Sequence, residues 1–230
     1  MWTRKELKEK GKAAFQRNYW KCVLVGLILM ALTGTVDYSW KGNMKEIKES
    51  LKAAAFQAGV SVETIVAILL GILGVSVLIA LVINIFLRNP LLVGINRYFM
   101  KNAQQPAELK ELGYSFSGAR YLKTVGAMVL VNVFVALWSL LLVIPGIIKI
   151  FEYYMVGYIL ADDPDMGVMD ALRKSKEMMR GHKWNTFVLN LSFLGWKLLG
   201  AITFGIVDIF YVNPYIQATE AELYLTLKNQ

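Results

Sequence analysis

The chain has 230 residues, of which 56% are hydrophobic and only 18% charged, with a formal net charge of +8 and a mean hydropathy of +0.46. A soluble domain carries about 25% charged residues, so the deficit disfavours a water-soluble globule. One cysteine, Cys22, and one histidine, His182, exclude a disulfide within the chain and argue against a Cys/His metal centre.

Read from the N-terminus, Trp2 to Asn18 is expected to form an amphipathic helix. Thr3 and Glu6 make a capping box, and Trp2 with Leu7 makes the hydrophobic staple around it. Leu7, Gly11, Ala14, Phe15 and Asn18 share one face, while Lys5, Lys8, Lys10 and Lys12 cover the rest. That pattern suits a helix lying on an anionic membrane surface. The helix starts the chain in place of a short basic region and a small-residue cleavage site, so a cleaved signal peptide is not expected.

Tyr19 and Trp20 mark a headgroup interface, and a first membrane helix is expected over 20–36. Asp37 to Ser61 reads as a polar loop with an amphipathic piece from Met44 to Phe56. Thr64 to Leu87 and Thr124 to Ile148 contain no Asp, Glu, Lys or Arg. About 20 such residues cross a bilayer core as helix, so membrane helices are expected over 62–85 and 122–144. Arg88-Asn89-Pro90 interrupts the first run, and a short helix from Pro90 to Met100 follows, since proline suits a helix start.

Leu122 to Ala161 is too long for one crossing. A hairpin is expected, turning at Pro145-Gly146, with a fourth membrane helix over 147–161. Asp162-Asp163-Pro164 reads as a helix start. The amphipathic cytoplasmic helix it opens, 165–180, carries Val168, Leu172 and Met179 on one side and closes at Gly181. Two further membrane helices, 184–199 and 205–227, complete an all-α polytopic membrane protein of about six crossings in one integral membrane domain, 1–230.

Most of the 25 lysines and arginines fall in three segments: Arg4 to Lys21, Arg88 to Lys123, and Arg173 to Lys183. The positive-inside rule then places these segments and both termini in the cytoplasm. The same distribution accounts for the positive charge without nucleic acid. The expected partners are the lipid bilayer, anionic lipids at the cytoplasmic face and a membrane protein partner.

Four charged residues fall inside the expected spans: Lys149, Glu152, Lys197 and Asp208. All four lie near outer turns, so they form a candidate polar membrane cluster. Lys149 and Glu152 are three apart, on one helical face. Charges in a bilayer are costly and tend to be paired or functional. Asn132 and Asn190 are placed to hydrogen-bond across helices. Glu220 and Glu222 fall in the inner part of the sixth helix, where either is a candidate for a cation or a proton. Gly157, Gly195, Gly200 and Gly205 permit close helix approach. The pairs Asn89-Pro90 and Asn213-Pro214 raise the question of an internal repeat. No HExxH, P-loop or GxSxG pattern occurs. No enzyme and no cofactor are expected.

Three stretches, LWSLLLVIPGIIKIFEYYMVGYILADDP (137–164), DALRKSKEMMRGHKWNTFVLNLSFLGWKLLG (170–200) and TFGIVDIFYVNPY (203–215), resemble the bacterial family called domain of unknown function 975. The N-terminal TRKELKEKGKAAFQRNYWK also resembles that family's start. The resemblance implies a polytopic protein of the bacterial plasma membrane and brings no activity or site residues. IPG followed by an acidic turn and a Ser-Lys helix is more distantly similar to the membrane domain of some glycerophosphodiester phosphodiesterases. The phosphodiesterase domain itself is missing from this chain. The expected role is that of a non-enzymatic assembly partner or envelope-maintenance protein. The alternative is a small transporter or permease component for an amphiphile or lipid.

Overall fold

The computed structural model describes residues 2–33 and 44–230. Among them the chain is all-helical. Contacts divide it into two compact units, 1–33 with 85–230 and, separately, 34–84.

In the smaller unit, α3 (Met44–Ala58) and α4 (Val62–Ile83) form a helix pair. Gly59, with φ of +63°, lets the chain turn, and Ser61 caps α4 by accepting a hydrogen bond from the Thr64 N–H at 3.2 Å. No residue of α4 is buried. A helix apolar on every side belongs in hydrocarbon rather than water. The expected loop residues 37–43, and the end of the first expected membrane helix at 34–36, lie outside the described residues.

Helix continues through the expected interruption at Arg88-Asn89-Pro90. A π-helical segment, Asn84–Arg88, leads directly into α5 (Asn89–Gln104). Pro90 lacks the N–H that would continue the helical ladder, and the Phe86 carbonyl four residues before it accepts instead from the Tyr121 hydroxyl at 2.9 Å. Asp208–Val212 and α12 (Asn213–Lys228) repeat this arrangement, with Pro214 in the first turn. The two Asn-Pro pairs thus mark the same local device, and α5 and α12 pack on each other.

The larger unit opens with α1 (Arg4–Arg17) and α2 (Tyr19–Thr33). Thr3 caps α1 through the Glu6 N–H, as the capping box requires. The apolar face of α1 is the expected one, Leu7, Gly11, Ala14 and Phe15. It is buried against protein, not spread on lipid, because α12 covers it. Gly11 makes this possible: a Cβ there would lie 2.6 Å from Thr219 Oγ1 and 2.8 Å from the Thr219 backbone nitrogen. Asn18, at the joint of α1 and α2, donates to Asn102 Oδ1 at 2.9 Å and to the Ala107 carbonyl at 3.0 Å.

Beyond α5, a 3₁₀ stretch, Leu109–Phe116, packs back on that helix. Glu111 there accepts from Arg97 at 2.8 Å and Lys101 at 2.7 Å. Burial pushes the Glu111 carboxyl up, but the two cations outweigh it and hold it below the usual range.

Helices α6 (Ala119–Leu141) and α7 (Val143–Glu152) form the expected hairpin, but its turn is one extended residue, Leu142, and not Pro145-Gly146. Pro145 stands in the first turn of α7, where proline is tolerated. At Gly146 the arms pack closely, since a Cβ would lie 2.9 Å from Ser139 Cα. The fourth expected membrane helix is divided at Tyr153–Met155 into α7 and α8 (Val156–Asp162). Asp163 caps a turn by accepting from the Asp165 N–H at 3.0 Å. The next helix, α9 (Val168–Met178), starts later than Asp162-Asp163-Pro164 suggests, behind Gly167.

Residues 184–199 are also divided, into α10 (Lys183–Leu191) and α11 (Leu194–Ile202). The expected sixth helix begins after a turn at Phe204 and Gly205, both with positive φ, and contains the π-helical segment before α12. By length and composition, three helical runs among the described residues can cross a membrane: Val62–Gln104, Arg120–Leu141 and Val143–Asp162. Tyr19–Leu32 is a shorter apolar helix. The fifth and sixth expected spans fall short of that standard because breaks and charged residues interrupt them.

Candidate functional site

Lys149 and Glu152 are joined at 2.6 Å, as their spacing predicts. Glu152 takes a second cation, Lys183 Nζ, also at 2.6 Å. The carboxylate is nearly enclosed, with a side chain only 9% exposed. Lys183 sits at the start of α10, so the charge pair ties two elements together. Lys149 also lies over the Trp138 ring, 5.0 Å from its centroid. This group is at the C-terminal end of α7, about 15 Å of helix from the Leu142 turn. The expected position beside the outer turn is corrected accordingly.

Ser175 of α9 explains why the helix breaks there. Its hydroxyl donates to the Glu152 carbonyl at 2.8 Å and accepts from the Met155 N–H at 3.2 Å. The side chain replaces backbone partners that the divided helix loses.

Lys197 and Asp208 do not join this group. No ion pair links them to each other or to Lys149 and Glu152 among the described residues. The Asp208 carboxylate packs against Gly200, and its Oδ1 is buried without a hydrogen-bond partner among the described residues. The four-residue cluster is therefore one triad, Lys149–Glu152–Lys183, and two separate residues.

A pocket of about 340 Å³ lies beside the triad. Glu152, Lys176, Arg180, Gly181, Lys183 and Trp184 line it. Lys176 and Arg180 have no ion-pair partner among the described residues, and Trp184 is 71% exposed. Two free cations, a third shared with Glu152 and an exposed indole make an anion-accepting edge. His182 stacks on Trp2 with centroids 6.2 Å apart.

A second polar centre was not visible as a unit in the sequence. Asn190 donates to the Tyr154 hydroxyl at 3.1 Å, and Tyr154 donates to Glu220 Oε1 at 2.6 Å. Asn190 thus bonds across helices, as its position suggests, and its chain ends on a carboxylate. Glu222 does not take part. Tyr154 gave no signal, because tyrosine at a membrane boundary ordinarily reads as an interface anchor. Cys22 is buried, 3.6 Å from the Tyr98 hydroxyl.

Residues 140–230 match the family described as Protein of unknown function (DUF975). The match covers the hairpin turn, the triad and α12, while the N-terminal TRKELKEKGKAAFQRNYWK, which also carried the resemblance, lies outside it. The likeness to the glycerophosphodiester phosphodiesterase membrane domain is not shown. No curated protein and no solved structure matches the chain.

Proposed function

We propose that this protein is a non-enzymatic, multi-pass protein of the bacterial plasma membrane that binds anionic lipid and serves as an assembly partner or in envelope maintenance. The observation that carries the reading is the basic pocket between α9 and α10. Lys176, Arg180 and Lys183 stand together beside an exposed tryptophan. Basic residues near a membrane surface attract anionic headgroups, at about 1 kcal/mol each. Tryptophan favours the same interfacial depth.

In this reading the basic segments and both termini face the cytoplasm. Six crossings follow if the short apolar α2 and the divided segments 183–202 and 206–228 are counted beside the three longer spans. Contact of α1 with α12 supports a shared side for the two termini.

The test is lipid analysis of protein purified natively and exchanged into mixed phosphatidylglycerol and phosphatidylcholine nanodiscs. Wild-type protein retains phosphatidylglycerol selectively. Removing two cations in Lys176→Ala/Arg180→Ala weakens that selectivity about tenfold or more. Equal retention by the double variant would refute the reading.

A small transporter or permease component for an amphiphile is the second reading. It is favoured by the divided helices, with α7 and α8 meeting beside the polar chain to Glu220. Broken helices beside polar groups are a common transporter device.

A further inference from the structure

A crevice of about 200 Å³ opens beside Glu220, apart from the basic pocket. Its polar lining is Asn96, Gln217 and Glu220, and its aromatic lining is Tyr153, Tyr154 and Tyr158. Leu92 and Met128 are among its apolar walls. Gly157 keeps the space open, because any side chain there would strike the Asn96 amide nitrogen.

The hydrogen-bond inventory of the crevice is incomplete in one direction. Tyr154 satisfies Glu220 Oε1, while Oε2 has no partner among the described residues. The side chains of Asn96 and Gln217 have none among them either. The Tyr158 hydroxyl is buried without a partner among the described residues. Part-buried polar groups normally find partners, within the protein or from outside it. Glu220 also forms no ion pair among the described residues. A carboxylate in such surroundings favours a cation over a neutral guest.

We propose that this crevice binds a small primary ammonium ion with a short aliphatic chain. Three N–H donors match three side-chain acceptors: Glu220 Oε2, Asn96 Oδ1 and Gln217 Oε1. The tyrosine rings add attraction for a positive charge. Leu92 and Met128 take the carbon chain. A divalent metal fits less well, since the single carboxylate leaves its second positive charge uncompensated.

The probe is butylammonium chloride, titrated calorimetrically into the full chain in phosphatidylcholine nanodiscs. The expected result is saturable binding with one site per chain. Butanol, the neutral analogue of similar shape, does not bind, and equimolar sodium does not compete. Glu220→Gln keeps an acceptor for Tyr154 and weakens binding at least tenfold, at an unchanged unfolding temperature. Asn96→Leu leaves the carboxylate and weakens binding several-fold; it decides the matter if Glu220→Gln fails to fold. No saturable butylammonium binding to folded wild-type protein overturns the proposal. So does equal binding of butanol, full competition by sodium, or unchanged affinity in whichever variant folds.

Discussion

Glu152 holds two cations on one carboxylate, one from its own helix and one from the start of α10. The i,i+3 partner Lys149 was legible in the sequence, whereas Lys183 is 31 residues away and was assigned to a polar loop. That difference changes the expected mutational pattern. Removing the carboxylate in Glu152→Ala strands two cations in a partly enclosed site, and breaking such a pair costs about 3 kcal/mol or more. Neutralising only Lys149 alongside Glu152 does not restore stability, because Lys183 remains. Lys149→Met/Glu152→Met/Lys183→Met is expected to recover most of the loss. Unfolding temperature in detergent measures all three variants. Full recovery in the double variant would show that Lys183 does not share the charge. Lys197 and Asp208 were reasonable candidates by the same logic of intramembrane charge. Sequence spacing along two different helices does not say which of their faces meet.

Elements were predictable in kind and less so in extent. Helical periodicity located α1, and apolar runs located α4, α6 and the hairpin over Leu122 to Ala161, because a helix long enough to cross hydrocarbon needs an uninterrupted apolar run. The breaks at Tyr153–Met155 and at Ser192–Phe193 left no comparable mark. In the first case a serine from α9 supplies the missing backbone partner, which is a tertiary event. The prolines misled at Pro145, where the turn lies three residues earlier at Leu142. Pro90 stands at the start of α5, as expected, but without the interruption expected there, and Pro214 stands at the start of α12 inside the expected sixth helix. The contact between α1 and α12 gives an element-scale test. Gly11→Ala forces a Cβ into backbone atoms of Thr219, which cannot swing aside as a long side chain can. The expected loss is about 2 kcal/mol, typical of overpacking. Gly71→Ala, where the added Cβ meets nothing, serves as the control and is expected to be neutral or stabilising. Equal thermal shifts for the two would contradict close packing of α1 on α12.

At the scale of the whole molecule, sidedness is the property with the widest consequences. Arg17 donates to the Gln104 carbonyl at 3.1 Å, and Asn18 bonds to Ala107. Helix α1 and the loop after α5 therefore sit together. Single cysteines introduced by Lys10→Cys and Lys110→Cys in a Cys22→Ser background are expected to react with an impermeant maleimide only from the cytoplasmic face. Labelling of the two from opposite faces would dismantle the proposed topology. The sequence by itself determined the all-helical class, the apolar runs long enough to cross a membrane and the clustering of basic residues, since hydrophobicity and charge act residue by residue along the chain. Only the tertiary structure decided what α1 covers, which cations Glu152 holds and that Asn190, Tyr154 and Glu220 form one chain. Those facts depend on which helix faces meet across long separations, and a hydrophobic surface satisfies its burial equally well against lipid or against another helix.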